Sequence, residues 1–326
     1  MNISRRKFNK NLLSFLPAIN MISGSGSGLM KRKRQSIVIQ AEPGSFIRIN
    51  NDVNMEKVKK FLDKGIKKLT EYSSPDEGWR SMFSPGDKVG IKLSCLPGKP
   101  LSSSRGIVKA VIEGLASAGI KENNILVWER SNRELQNAGF PLSFKGVRVY
   151  GTDQYAGGGY SSEIEFSGSV GTCFSKIMYE VDALINIPVL KDHDLSGISC
   201  SMKNFYGAIY NPNKFHSNNC DPYIAELNAH SIIKKKLKLV ICDASRIQIN
   251  NGPAYYPKYS KNYGSVLMGT DQVALDHTGW QIIEKERKRA GLISLKDAGR
   301  EPEYIESAVK LGLGENRDSK IDLIRI

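Results

Sequence analysis

The chain has 326 residues, 40% hydrophobic and 25% charged, which is typical of a globular protein and excludes a disordered or fibrous one. The formal net charge of +14 suggests a nucleic-acid partner, but residues 1–34 hold eight basic and no acidic residues, leaving only +6 for the remainder. No nucleic-acid partner is therefore expected. The five cysteines form no Cys-x-x-Cys pair, which argues against a closely spaced iron–sulfur motif and a disulfide framework.

The chain begins with a basic leader. Residues 4–10 read Ser-Arg-Arg-Lys-Phe-Asn-Lys and closely resemble the twin-arginine export signal. The weakly apolar residues 12–22 that follow contain Pro17 and Asn20 and are too short to span a bilayer. We expect residues 1–30 to be a leader for the twin-arginine translocase, and the mature chain to be periplasmic or extracellular without a transmembrane span. A disordered basic tail that binds anionic surfaces is the alternative.

After the leader, strand-like and helix-like patterns alternate. Predicted strands cover residues 36–40, 89–93, 125–128, 147–150, 183–190 and 237–242. Predicted helices cover residues 55–72, 105–118, 223–235, 271–290 and 303–311. This alternation predicts an α/β fold with a largely parallel sheet and helices on both faces, in one or two lobes. We expect a β-α segment packed on the core over 31–86, the main α/β domain over 87–315 and a C-terminal strand over 316–326.

Residues 190–207 hold the densest group of polar side chains, in a Lys-x-His, a Gly and then a Lys-Asn-x-x-Gly. This pattern resembles the core motif of the DUF362 family, bacterial and archaeal proteins of unassigned function. Further resemblances lie at residues 87–94, 239–244, 251–253 and 269–276. Ser94 replaces the usual Asn, and Gln272 replaces a Pro. The resemblance covers about residues 87–315.

The predicted strand over 183–190 runs directly into this motif. Open α/β sheets bind ligands where strand carboxyl ends meet helix amino ends. We therefore predict that His193, Lys203 and Asp243 are catalytic, with His193 as a general acid or base and Lys203 as an anion holder or as the amine that bonds a carbonyl or cofactor. Asp243 ends another predicted strand, and we expect it to converge with His193 and Lys92.

A ligand or cofactor set and a metal site complete the prediction. The set contains Lys92 and the motif residues Lys191, Lys203, Asn204 and Gly207. The predicted metal ligands are His193 and His216, because neutral imidazole binds many metals. The alternatives are a solvated Lys203, a His193 that bonds neighbouring carboxylates, and a His216 on a surface loop.

The spacing of His193 and Lys203 carries a second resemblance. They lie ten residues apart with one glycine between them and one after, which is similar to the motif of lactate racemase and its relatives, where such a pair holds a nickel-pincer nucleotide. The resemblance implies that Lys203 holds a cofactor and that His193 acts beside it. That family's Gly-Gly-x-Lys is Cys-Ser-Met-Lys at residues 200–203 here, so the cofactor's identity does not carry over.

The sequence thus favours an enzyme that acts on a small anionic organic substrate through a Lys/His site, with or without a bound metal or cofactor. An exported protein that binds a ligand in the same crevice without chemistry is the alternative. A nucleic-acid or glycan binder using residues 254–263, where aromatic and basic residues alternate, is the third class. The small charge outside the leader disfavours nucleic acid. The oligomeric state is left open.

Overall fold

The computed structural model describes residues 35–155 and 158–326. The leader over 1–30, with its predicted export signal, lies outside the described residues. Within the described part of the chain, no helix is both long and apolar enough to cross a membrane. Residues 35–326 belong to one unit.

Strands and helices alternate through the described residues. The strands are β1 Ser36–Gln40, β2 Val89–Leu93, β3 Ile125–Glu129, β4 Arg148–Gly151, β5 Glu165–Ser167, β6 Val170–Thr172, β7 Ala183–Ile187, β8 Val189–His193, β9 Gly197–Ser199, β10 Leu237–Gln248, β11 Ser260–Lys261, β12 Ser265–Gly269 and β13 Ile321–Arg325. The helices are α1 Met55–Thr70, α2 Pro75–Met82, α3 Arg105–Ser117, α4 Asn132–Asn137, α5 Ile177–Glu180, α6 Tyr223–Ala229, α7 Ser231–Lys234, α8 Gln272–Arg289 and α9 Tyr304–Lys310.

One large sheet organises these elements, with strand order β13-β1-β12-β10-β7-β2-β3-β4. The run from β10 to β4 is parallel throughout, and β1 is parallel to β13. Only β12 in this order is antiparallel to both neighbours. The predicted fold class, α/β with a largely parallel sheet, is confirmed.

Helices cover both faces of the sheet, because alternate side chains of each strand point to opposite sides. In β3, Leu126 and Trp128 enter one hydrophobic core, whereas Ile125 and Val127 enter the other. The first core also receives apolar side chains from α6, α8 and α9, and the second from α1, α2 and α3. Burial on both faces explains why the central strands are nearly continuous apolar runs.

The structure corrects three predicted element boundaries. The segment over 183–190 is two strands separated by Pro188, and the second, β8, continues to His193. The helix over 223–235 breaks at His230, whose Nδ1 accepts a hydrogen bond from the Ile232 N–H and so begins a new helix. Strand β10 does not stop at residue 242 but runs on to Gln248. Asp243 therefore lies inside β10 and not at its end.

Candidate functional site

A cavity of about 210 Å³ lies where β2, β3 and β8 end. Residues that follow β2 and β3 form one side of it, and β8 with the turn after β9 forms the other. Six of the predicted site residues line this cavity: Lys191, His193, Lys203, Asn204, Gly207 and His216. The location agrees with the rule that parallel sheets bind ligands at strand carboxyl ends.

Two buried lysines face the cavity. Lys191 extends from β8, and its Nζ donates to the Ser94 hydroxyl at 3.1 Å. Lys203 lies in the 3₁₀ turn Met202–Ala208, with its Nζ 3.0 Å from Nε2 of His216 and 3.5 Å from the centre of the Tyr206 ring. Burial lowers the pKa of Lys191 to about 8 and that of Lys203 to about 7. Within residues 35–155 and 158–326, neither ammonium pairs with a carboxylate.

The hydrogen bonds of the two histidines define their tautomers. Nδ1 of His216 lies 3.1 Å from the Pro212 carbonyl oxygen and must donate to it, so Nε2 accepts from the Lys203 ammonium. Nδ1 of His193 accepts backbone N–H bonds from Leu195 and Ser196, which places the ring proton on Nε2. Both rings are therefore neutral.

The pKa shifts of both histidines also favour the neutral imidazole. Burial, and then the nearby Lys203 charge, lower the pKa of His193 and of His216. Nδ1 of His193 also lies 3.2 Å from the exposed carboxylate of Asp194. Because that nitrogen already accepts backbone N–H groups and carries no proton, the contact is not an ion pair. The cavity thus holds one imidazole acceptor and one imidazole with a free Nε2 proton.

A carboxyl pair lies across the cavity from the lysines. Glu129 ends β3, and its carboxylate forms a fully buried ion pair with Lys92 of β2. Burial opposes its ionisation, but the Lys92 charge prevails and lowers the pKa of Glu129. Burial, and then the hydrogen bond to Glu129, raise the pKa of Glu134 to about 7, although its ion pair with Arg130 acts in the opposite direction. One carboxyl therefore stays charged while the other exchanges a proton near neutral pH.

Glu134 was not predicted from the sequence. Its local signal is the Ser-Asn-Arg-Glu of residues 131–134 directly after β3, which fits a capping box. In the structure the Ser131 hydroxyl accepts the Glu134 N–H at 3.2 Å. That pattern predicts the start of a helix but not a perturbed carboxyl, because the perturbation comes from Glu129 and from burial.

The predicted convergence of Lys92, Asp243 and His193 is wrong for Asp243. This side chain does not line the cavity; its oxygens accept hydrogen bonds from Arg48, Ser104 and Ser245. The reason is that β10 continues past residue 243, which places Asp243 inside the strand rather than at its end. In this position Asp243 is a buried hydrogen-bond acceptor, and its catalytic role stays a prediction.

Lys92 lies against Gly207, which is one of the residues that line the cavity. Lys92 is fully buried and does not line the cavity; its Nζ also donates to the Leu93 carbonyl at 2.7 Å. A Cβ at Gly207 would lie 2.8 Å from Nζ of Lys92 and 2.9 Å from Oε1 of Glu129. Glycine therefore allows the 3₁₀ turn to rest directly on this ion pair.

The 3₁₀ turn that carries Lys203 is held by polar anchors. Both oxygens of Asp276 accept its backbone N–H groups, at Ser201 and Met202. Asn204 lines the cavity and donates from Nδ2 to Oδ1 of Asn186 at 2.7 Å. These buried bonds fix the turn and so hold the Lys203 side chain in position.

The predicted metal pair, His193 and His216, lies together at the cavity, with ring centres 5.7 Å apart. The described residues contain no group of three or more His, Cys, Asp or Glu side chains placed to hold a metal ion. The cavity is also smaller than the ~300–1,000 Å³ typical of sites for larger ligands. A cavity of this volume favours a small ligand.

Comparisons with known proteins give one family match and two solved structures. A family model described as a domain of unknown function, DUF362, matches residues 89–281. Lactate racemase apoprotein from Thermoanaerobacterium thermosaccharolyticum is 12% identical, with a TM-score of 0.46 over 77% of this chain and 58% of that chain. A protein from Thermotoga maritima is 12% identical, with a TM-score of 0.42 over 74% of this chain and 60% of that chain. The chain thus spans about three fifths of each of these structures. No curated protein matches it.

Proposed function

Since the chain belongs to the DUF362 family, whose function is unknown, we propose from its cavity that it is an enzyme that binds and converts a small organic anion. The cavity is the active site in this proposal. Lys191 and Lys203 bind the negative group, and His193 with Glu134 moves protons.

The observation that carries the proposal is the pair of buried lysines without a carboxylate partner. Removing an ammonium from water costs several kcal/mol unless a counter-charge compensates it. Such an arrangement is unfavourable for folding alone and is typical of ligand sites. A carboxylate or phosphate in the cavity would supply the missing negative charge to both amines.

The proton-transfer groups favour an enzyme over a plain binding protein. Anion binding needs only the two ammonium groups. The same cavity also holds the Nε2 proton of His193 and the Glu134 carboxyl, whose pKa is raised to about 7 by burial and by Glu129. A general acid or base works best when its pKa lies near the operating pH.

Anion binding can be tested by calorimetry with inorganic phosphate, L-lactate and pyruvate as probes. Losing one charge-assisted hydrogen bond removes about 1.5–3 kcal/mol, so Lys191→Met and Lys203→Met should each weaken binding by about ten- to a hundredfold. Lys236→Met is the matched control, because this half-buried lysine donates to the carbonyls of Met178 and Val181 and does not line the cavity. Equal affinities in all four proteins would refute the anion site.

Turnover can be separated from binding by NMR in D₂O with a panel of hydroxy and oxo acids. We expect the wild-type protein to exchange or convert at least one acid that it binds. His193→Gln should retain binding but lose that exchange, because it keeps the shape of the site and removes the imidazole. Binding without exchange or conversion of any acid would make the protein a binder.

We also propose that the twin-arginine translocase exports the chain. The support is the Ser-Arg-Arg-Lys-Phe sequence at residues 4–8 ahead of a short apolar region. Arg5→Lys with Arg6→Lys should retain the protein in the cytoplasm, as measured by cell fractionation. Unchanged accumulation outside the cytoplasm would contradict the proposal.

A further inference from the structure

We propose that the Lys203 amine forms an imine with an aldehyde or ketone of the bound anion, which makes small oxo acids the ligand class. This inference rests on the proposed function, because the anion must first bind in the cavity. It assigns different tasks to the two buried lysines.

The surroundings of the two amines differ in one chemical respect. Nζ of Lys191 contacts the Ser94 hydroxyl, which accepts a hydrogen bond but does not remove a proton near neutral pH. Nζ of Lys203 contacts Nε2 of His216, an unprotonated imidazole nitrogen that can take a proton. Lys191 is therefore suited to remain an ammonium that binds the acid group, and Lys203 to become a free amine.

Burial and the Lys191 charge favour the neutral amine of Lys203, whereas the Tyr206 ring favours the ammonium. Its Nζ is buried above the Tyr206 ring. The Lys191 charge disfavours a second positive charge nearby, whereas Asp194 and Cys220 act in the opposite direction. Burial is the largest influence and brings the pKa of Lys203 to about 7, so a large share of the amine is neutral at physiological pH. A neutral amine is the form that attacks a carbonyl.

The reaction balances without an oxidant or reductant. The Lys203 ammonium gives one proton to Nε2 of His216, and the freed lone pair bonds the carbonyl carbon while the C=O π electrons move to oxygen. That oxygen takes the proton from Nε2 of His216, which then removes one from the new C–N nitrogen. The His216 proton then goes to the hydroxyl, the C–O bond breaks, and water leaves. The net change converts ammonium and carbonyl into a protonated imine and water.

Reductive trapping tests this assignment directly. The protein is incubated with pyruvate and sodium cyanoborohydride, and the product is located by intact mass and peptide mapping. We expect one reduced pyruvate adduct, on Lys203. Lys203→Arg should lose the adduct while retaining a cation, because a guanidinium forms no imine under these conditions. His216→Gln should slow adduct formation, because the glutamine amide does not take up a proton.

L-Lactate is the matched probe, because it keeps the carboxylate of pyruvate and has a hydroxyl group in place of the keto group. If calorimetry shows that both acids bind and no adduct forms, the imine inference is wrong and the anion site stands. If neither acid binds and no adduct forms, both proposals fail. An adduct distributed over surface lysines and unchanged in Lys203→Arg would also overturn the inference.

Discussion

The molecule contains two kinds of buried cation. Arg48 forms an ion pair with Asp243 at 2.9 Å, and Lys92 forms one with Glu129, both in the interior. Each of these cations has a protein carboxylate as its counter-charge. They hold neighbouring parts of the fold together and leave nothing for a ligand to neutralise.

The two buried lysines of the cavity are arranged in the opposite way. Lys191 and Lys203 are about as well buried, but their described partners are a hydroxyl, an imidazole and an aromatic ring. Burial of charge alone therefore does not mark a ligand site. A buried charge without a counter-charge does, because its desolvation is compensated only when an anion arrives.

Breaking a buried ion pair should cause the largest change in the free energy of unfolding. Arg48→Met leaves the Asp243 carboxylate buried and without its guanidinium, and breaking such a pair lowers the free energy of unfolding by about 3–5 kcal/mol. Urea unfolding followed by circular dichroism measures this change. Adding Asp243→Leu should restore part of the stability. A single variant as stable as wild type would show that this pair does not hold the fold.

Removing a cation that has no carboxylate partner should raise the free energy of unfolding. The pKa of Lys203 is lowered to about 7 in the folded protein, against about 10.4 in the unfolded chain. Between these values the unfolded state binds more protons, so wild-type stability rises with pH over this range. Lys203→Met should therefore be more stable than wild type below pH 7, by on the order of a few kcal/mol, and the difference should disappear near pH 10.

Thermal or urea unfolding from pH 6 to 10, in buffers without phosphate or small carboxylates, measures that difference. Such anions would bind the wild-type cavity and mask it. A variant that is less stable than wild type at every pH would mean that the Lys203 ammonium is satisfied by the protein, and the comparison between the two kinds of cation would fail.

A smaller effect should come from crowding a paired cation. Gly207→Ala places a Cβ against Nζ of Lys92 and Oε1 of Glu129, and such overpacking typically lowers stability by about 1–3 kcal/mol. Gly86→Ala is the matched control, because its Cβ would meet open space. Thermal unfolding compares the two variants. Equal melting temperatures would show that the turn can shift away from the ion pair.

The smallest change in the free energy of unfolding should come from breaking a partly exposed ion pair. Lys59 and Asp63 lie one helical turn apart in α1, 2.9 Å from each other, with side chains that are 38% and 29% exposed. Solvent screens such pairs, so Lys59→Met should change the free energy of unfolding by about 0.5 kcal/mol or less. Urea unfolding at low and high salt checks this. A loss as large as that of Arg48→Met would remove burial as the basis of the comparison.

The sequence predicted the fold well where strands are buried on both faces. Residues 89–93 match β2 because a short, mostly apolar run bounded by polar residues is typical of a buried strand. Seven residues between 191 and 207 line the cavity, because β8 leads directly into this segment. Asp243 was misplaced because a polar residue after an apolar run looks like a strand end, whereas β10 continues through it.

The pairing of the buried lysines could not be predicted. Lys92 and Lys191 both lie within or just after apolar strand runs, and their local sequences do not distinguish them. Strand order decides: β2 lies beside β3, with Lys92 level with Trp128, and the next residue of β3 is Glu129. The raised pKa of Glu134 depends on the same tertiary neighbours. Both the partners of the buried lysines and the pKa of Glu134 depend on long-range strand pairing, which local sequence patterns do not predict.

The most direct test of the account is a crystal structure of the protein grown with L-lactate and without other small anions. We predict that the lactate carboxylate lies in the cavity within hydrogen-bond distance of Nζ of both Lys191 and Lys203. Protein carboxylates paired with these two amines, and a cavity filled only with water at saturating lactate, would contradict it.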